Sequence, residues 1–343
     1  MFSGFLESRE SVARLLIGNS LRKYFERWSF VRNLLWMMEA AVFGAFLGLA
    51  RLLPADRASA FGRRVMMWVG PRLDKHRIFK RNFRLAFPRN NEAEIEALAT
   101  AAWGGAGGLL AEYAHLRDIC VTQADTRLLI ASVGDVPVLS DPARPTIFVS
   151  AHLANWEICA GGVRKAGIPV TAVYTPLQNP WLDRILMGQR RHLGCRLLPR
   201  DESMRSLIRE LAKGRSIGLI MDQRVDSGVP IPFFGIDKFT TLVPARLALR
   251  HGYDLVPVRT ERLDGARFRV TFHSPILPDD PAADEIEKAT QMSRRINLLF
   301  EEWIRGRPED WFCSKRRWPK DAQPGSGYDT VTEGTPQSPD VNS

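Results

Sequence analysis

The stretch Thr146 to Ser150, bounded by Pro145, is a short run of apolar and β-branched residues without polar alternation. A strand of that kind has to be covered on both faces, which is the situation of a strand with parallel neighbours. Parallel neighbours need crossover connections, and the rest of the chain supplies them. Val170 to Tyr174 reads as a strand, Trp181 to His192 as a basic helix, Cys195 to Leu198 as a short strand, Met204 to Lys213 as a helix and Ile217 to Met221 as a strand. Leu242 to His251 continues as a helix and Leu255 to Arg259 as a strand. Arg267 to His273 follows as an alternating strand with one exposed face, and residues 284–305 as an amphipathic helix. The fold class expected is α/β, a mostly parallel sheet covered by helices.

In such sheets the ligand crevice lies beyond the carboxyl ends of the strands. The first strand ends at Ser150 and is followed by Ala151-His152-Leu153-Ala154-Asn155-Trp156-Glu157. Trp156, Cys159, Ala160 and Val163 then recur at helical spacing, so His152 falls in a strand-to-helix turn. On one continuous helix His152 and Glu157 would be rotated by roughly 140°, so they meet only if the histidine precedes the helix. Two readings fit this stretch by itself. In one, Glu157 orients His152 as a general base toward a hydroxyl. In the other, the turn is a packed one capped by Asn155, with Glu157 near the positive helix end. Asp222-Gln223-Arg224 follows another strand end, which brings a second set of polar groups to the same edge and favours the first reading.

Charge and length limit the partners. The chain has 343 residues, 45% of them hydrophobic, and 48 Lys plus Arg against 38 Asp plus Glu, for a net charge of +10. That excess suits an anionic partner. The basic residues are dispersed and no reading helix or RNA-binding signature accompanies them, so nucleic acid is not expected. Four separated cysteines give neither a metal spacing nor a disulfide framework, which fits a reducing cytosol and no metal or other cofactor. Leu34 to Leu53 is almost wholly apolar, with Glu39 and Arg51 as its charges, and follows an amphipathic basic segment. It reads either as a membrane span or interfacial anchor, or as a buried core helix. The divisions expected are an anchor over 1–55, a catalytic domain over 56–319 and a polar, disordered tail over 320–343.

Trp103-Gly104-Gly105-Ala106-Gly107-Gly108 lacks a preceding strand and any phosphate-loop pattern, and reads as a site of close helix packing. Gly228-Val229-Pro230-Ile231-Pro232-Phe233-Phe234-Gly235 reads as a proline-stiffened loop.

Taken together, these motifs resemble the bacterial lipid A biosynthesis acyltransferases. The resemblance rests on HLANWE from His152 to Glu157 and on further matches in order. These are Asn82-Phe83 to Phe87-Pro88, Tyr174-Thr175-Pro176, Asn179-Pro180, the helix bearing Arg190, Asp222-Gln223, Gly228 to Gly235 with Thr240, and Pro308-Glu309 to Arg316-Arg317-Trp318. It implies a glycerolipid acyltransferase-like fold with a membrane-anchoring N-terminal helix, on the cytoplasmic side of a bacterial inner membrane. It also implies an acyl chain carried by acyl carrier protein and a phosphorylated glycolipid acceptor. His152 and Glu157 would be catalytic. Asn155, Tyr174, Arg190, Arg200, Asp222, Gln223 and Arg224 would bind substrate, the arginines through phosphate. Two other readings stay open: acylation of a lysophospholipid or a phosphatidylinositol mannoside-type glycolipid, and a non-catalytic adaptor for anionic membranes.

Overall fold

A computed structural model describes residues 29–121, 127–200 and 204–324; the expected basic segment before residue 29 and the tail beyond 324 lie outside the described residues. The N-terminal part is helical: α1 Ser29–Leu52, α2 Ala55–Val69, α3 His76–Ala86, α4 Glu92–Glu112 and α5 Leu116–Cys120. Next come β1 Leu128–Val133, the single turn α6 Pro137–Ser140, β2 Thr146–Ser150, α7 Ile158–Lys165, β3 Val170–Tyr174, α8 Pro180–Arg190, β4 Arg196–Pro199, α9 Met204–Ala212 and β5 Ser216–Ile220. A hairpin of β6 Val229–Phe233 and β7 Ile236–Thr240 precedes α10 Val243–His251, β8 Asp254–Arg262, β9 Phe268–His273 and α11 Glu285–Gly306.

Seven strands form one sheet in the order β1-β9-β8-β2-β5-β3-β4. Every neighbouring pair is parallel except β8 with β9. The expected mostly parallel α/β sheet is therefore present. β2 lies inside it between β8 and β5, and all five of its residues are buried. Its side chains alternate between the sheet faces. Ile147 and Val149 join a core with Ile217, Leu255 and α11, whereas Phe148 joins a separate one with Val256, Val258 and Phe272. An apolar run with no alternation is thus what two cores require.

Two expectations change. The Gly228 to Gly235 loop is mostly strand: Val229 pairs with Thr240 and Phe233 with Ile236 in an antiparallel ribbon. Prolines 230 and 232 fit because they alternate with buried Ile231 and Phe233 on an isolated two-stranded ribbon, where missing N–H donors are tolerated. The tip turns at Phe234 and Gly235, with φ of 54° and 69°. β9 is also more covered than its alternation suggests, because Thr271 and Phe272 are both buried between β1 and β8.

The glycines of α4 serve helix packing. A Cβ on Gly107 would lie 2.1 Å from the carbonyl oxygen of Gly62 on α2, and one on Gly62 would lie 2.2 Å from that of Gly107. The two backbones touch, so neither glycine tolerates a side chain there. Gly105, in the same cluster, differs: its Cβ would make an ordinary 3.6 Å contact with the Glu309 carbonyl. Gly107→Ala is therefore expected to lower stability by about 3 kcal/mol. Gly105→Ala is expected to leave it unchanged or raise it by up to about 1 kcal/mol through helix propensity. Chemical denaturation of the two variants side by side checks the contrast.

Candidate active site

The register of the central strands builds the site. β2 and β5 are parallel, with Ser150 opposite Ile220, and the Met221 N–H continues the ladder to the Ser150 carbonyl at 2.9 Å. Two residues farther along each chain, His152 and Asp222 face each other. The His152 Nδ1 lies 2.5 Å from Asp222 Oδ1. β3 and β4 end at the same edge with Tyr174 and Pro199, and the N–H of Arg200, the next residue, donates to the Tyr174 carbonyl at 2.8 Å.

The expected pairing of His152 with Glu157 is replaced by this one. Glu157 takes Arg190 instead, with Nε to Oε2 at 2.9 Å and Nη2 to Oε1 at 2.6 Å, in a bidentate geometry. The cause is the shape of the turn. Phe312 donates its N–H to the His152 carbonyl, Leu153 bridges Trp311, and Ala154 donates to the Asp310 carbonyl. Ala154 adopts a left-handed φ of 49° to satisfy these contacts. Trp156 then lies against the His152 ring, with centroids 5.0 Å apart, and Glu157 is already helical before α7.

Asp222 is fully buried, and its second oxygen receives Trp311 Nε1 at 3.0 Å, Arg317 Nη2 at 2.7 Å and Arg317 Nε at 3.2 Å. Arg317 is fully buried as well. Burial alone would raise the Asp222 carboxyl, but the Arg317 guanidinium, His152 and the Trp311 hydrogen bond hold it well below the usual carboxylate range. An ionised Asp222 accepts only, so the proton of the His152 ring belongs on Nδ1. Nε2 is left as the acceptor, and Gln223 Nε2 lies 3.0 Å from it, placed to donate. An imidazole with a carboxylate behind it and a lone pair in front is equipped to take a proton from a hydroxyl.

The remaining expected residues divide. Tyr174 and Tyr113 flank Arg190, with ring centroids 5.7 Å and 6.0 Å from the guanidinium carbon, and Tyr113 Oη accepts from Arg190 at 3.3 Å. Burial lowers the proton affinity of Arg190, but Tyr113 and Glu157 outweigh it and keep the group charged. Asn155 is buried and donates to Glu112 Oε2 at 2.8 Å; Glu112 also accepts from Ser59 and forms a buried ion pair with Arg262. Arg224 contacts Asp226 at 2.8 Å and the Trp318 carbonyl at 3.3 Å, away from His152. Arg200 stands at the end of β4, where its charge helps push Lys315 down to about 8, after the effect of burial.

Sequence reasoning met Arg317 and Trp311 only within the terminal family match and did not single out Lys238, so none of the three was expected beside Asp222. The first two sit in the Pro308 to Trp318 motif, where a tryptophan and an arginine in an otherwise loop-like segment were the available signal. Lys238 lies in a strand next to Phe239, and only its position within an apolar ribbon marks it. It is fully buried beneath the site, with Nζ 3.1 Å from Asn297 Oδ1, 3.5 Å from the Asp222 carbonyl and 4.2 Å from the Phe233 ring centroid.

Residues 29–320 match the model of the bacterial lipid A biosynthesis acyltransferases. The chain belongs to that family. This acyltransferase is 20% identical over 305 residues to the lipid A biosynthesis acyltransferase of Haemophilus influenzae, covering 86% of this chain and 92% of the relative. It is 27% identical over 185 residues to the phosphatidylinositol mannoside acyltransferase of Mycolicibacterium smegmatis, covering 52% and 58%. Among solved structures, the 1-acyl-sn-glycerophosphate acyltransferase PlsC of Thermotoga maritima aligns with 76% of this chain and 99% of its own, at 14% identity and a TM-score of 0.34, a slight likeness.

Burial brings the Lys238 ammonium down from 10.5 to about 7, against the opposing pull of Asp222. Between those values the unfolded acyltransferase binds a proton at this lysine that the folded one does not, so stability contributed here rises with pH. The thermal midpoint of wild type is expected to gain on that of Lys238→Met as pH goes from 7 to 9. Parallel midpoints across that range would contradict the assignment.

Proposed function

We propose that the enzyme moves a fatty acyl chain from acyl carrier protein to a hydroxyl of a phosphorylated glycolipid of the lipid A precursor type, with His152 as the general base. The observation that carries this reading is the orientation of His152, with Nδ1 against Asp222 and Nε2 turned forward to accept. The acceptor hydroxyl would displace the Gln223 amide from Nε2 and give up its proton there as its oxygen attacks the thioester carbonyl. Collapse of the tetrahedral intermediate breaks the C–S bond, and the imidazolium returns the proton to the departing thiolate. An ester and a free thiol result, with no acyl group on the protein. Backbone N–H groups at the helix start near Asn155 would serve the oxyanion, since those of Ile158 and Cys159 are taken up by the Asn155 and Trp156 carbonyls.

In this reading Asp222 is a positioning residue that fixes the tautomer and stabilises the imidazolium. Glu157 holds Arg190 beside the reacting groups. Among the described residues Arg190 Nη1 is buried without a partner, which leaves that nitrogen to donate to an acceptor oxygen. Helix α1 is long and apolar enough to cross a membrane and is mostly uncovered by the protein, with Phe30, Val42 and Leu52 prominently exposed. That supports residues 1–55 as the anchor to an inner membrane, with the site on the cytoplasmic side. The net charge of +10 supports both an acidic carrier and a phosphorylated acceptor. The mycobacterial relative, more alike over its shorter match, supports a phosphatidylinositol mannoside as the alternative acceptor.

Purified variants assayed with acyl carrier protein thioester and a panel of both acceptors test the proposal. His152→Ala is expected to lower the rate by about 10² to 10⁴. Asp222→Asn is expected to fall in a similar range, because a neutral amide in place of the carboxylate no longer enforces the Nδ1–H tautomer. Glu157→Gln is expected to cost about tenfold through loss of one charged partner of Arg190. A wild-type rate from His152→Ala would overturn the mechanism, and transfer only to a lipid outside the panel would overturn the acceptor.

A further inference from the structure

A groove of about 510 Å³ opens between α1, α8 and the turn after α4, and none of its lining residues belongs to the network around His152. Its floor is apolar: Gly44, Leu47 and Gly48 from α1 face Ile185 from α8. Its rim is cationic, with Arg51 in the last turn of α1, Arg117 on α5, and Arg191 and His192 just past α8. Arg51 is engaged by Asp118. Arg117 and Arg191 are exposed, and among the described residues neither side chain finds a carboxylate. Burial, then Arg191, Arg117 and Arg51, push the His192 imidazole down, against the opposing pull of Asp118.

Glycine makes the floor. A Cβ on Gly48 would meet no atom within 4 Å, and one on Gly44 would touch only the Ile185 methyl at 3.8 Å. Neither glycine is needed for the packing of α1 itself. Each leaves the helix backbone bare toward the groove, at a cost in helix propensity. The occupant that suits an apolar trough with unpaired arginines at one end is an amphiphile with an anionic head. Arginine is the side chain best matched to phosphate oxygens.

We propose that this groove seats an anionic phospholipid of the surrounding bilayer, with its phosphate between Arg117 and Arg191 and one acyl chain along Gly44 and Gly48. The lipid is an auxiliary ligand rather than the acyl acceptor. It would press α1 onto α8 and fix the height of the protein at the membrane surface. The inference rests on α1 being the membrane helix.

Full-length protein in detergent is titrated with phosphatidylglycerol and with phosphatidylcholine, and retained lipid is counted by native mass spectrometry. Wild type is expected to retain phosphatidylglycerol in preference. Arg117→Ala with Arg191→Ala is expected to lose that preference by about tenfold, as for the loss of charge-assisted hydrogen bonds. Gly48→Leu is expected to lose retention while its thermal midpoint holds, since a Cβ at this position meets no atom within 4 Å and the new side chain occupies the groove. Equal retention of the two lipids by wild type, or unchanged retention in both variants, overturns the proposal. Displacement of the lipid by glycerol phosphate at the same concentration would overturn the role of the acyl chain. Sedimentation of wild type with pure phosphatidylcholine vesicles tests α1 separately, and failure to sediment would remove the membrane reading on which the groove depends.

Discussion

The buried carboxylate of Asp222 is the constraint on which the site depends. It sits where water cannot help it, so every lone pair has to be met by the protein, and the partners come from distant parts of the chain. His152 arrives from the end of β2, while Trp311 and Arg317 arrive from the segment after α11. The last segment is thereby tied to the centre of the sheet. Asn82 of α3 secures it further, donating to the carbonyls of Cys313 and Lys315. Removing Arg317 would leave an uncompensated buried charge, which is more costly than the pair itself is stabilising.

Much of this was legible from residues. The apolar run of β2 demanded parallel neighbours on both sides, and strands spaced by helices provided them. That placed His152 and Asp222 at the carboxyl edge of one sheet. Which carboxylate faces the histidine was not legible. Proximity in sequence favours Glu157, whereas the answer depends on β2 and β5 being adjacent in register, a relation between residues about 70 apart in the chain. The pairing of Arg190 with Glu157 was hidden for a related reason: a charged side chain on a helix shows its sign in sequence but not its partner. The β6–β7 ribbon was hidden by its prolines, which argue against strands in a sheet but not in an isolated hairpin.

The two ionic clusters divide the work of the edge. Asp222 and Arg317 form a rigid base behind His152, while Glu157 and Arg190 form a second pair among aromatic rings, with both side chains about 12% exposed. Of these two pairs, the second keeps a donor unsatisfied. Helix α1 meets the body through its own charges: Asn179 donates to Glu39, and Arg51 reaches Asp118. The two charges that interrupt its apolar run thus help to dock it alongside buried Leu47 and Ala50, while Phe30, Val42 and Leu52 stay uncovered.

The chemistry of the site turns on Asp222 holding His152 as the Nδ1–H tautomer. Nitrogen-15 NMR of the protein labelled at histidine, with His152 assigned by comparison with His152→Gln, measures this directly. The expected spectrum at neutral pH has a protonated Nδ1 and a bare Nε2 at His152, a pattern that disappears in Asp222→Asn and persists in Glu157→Gln. A proton on Nε2 in wild type, or a tautomer that answers to Glu157 instead of Asp222, would contradict it.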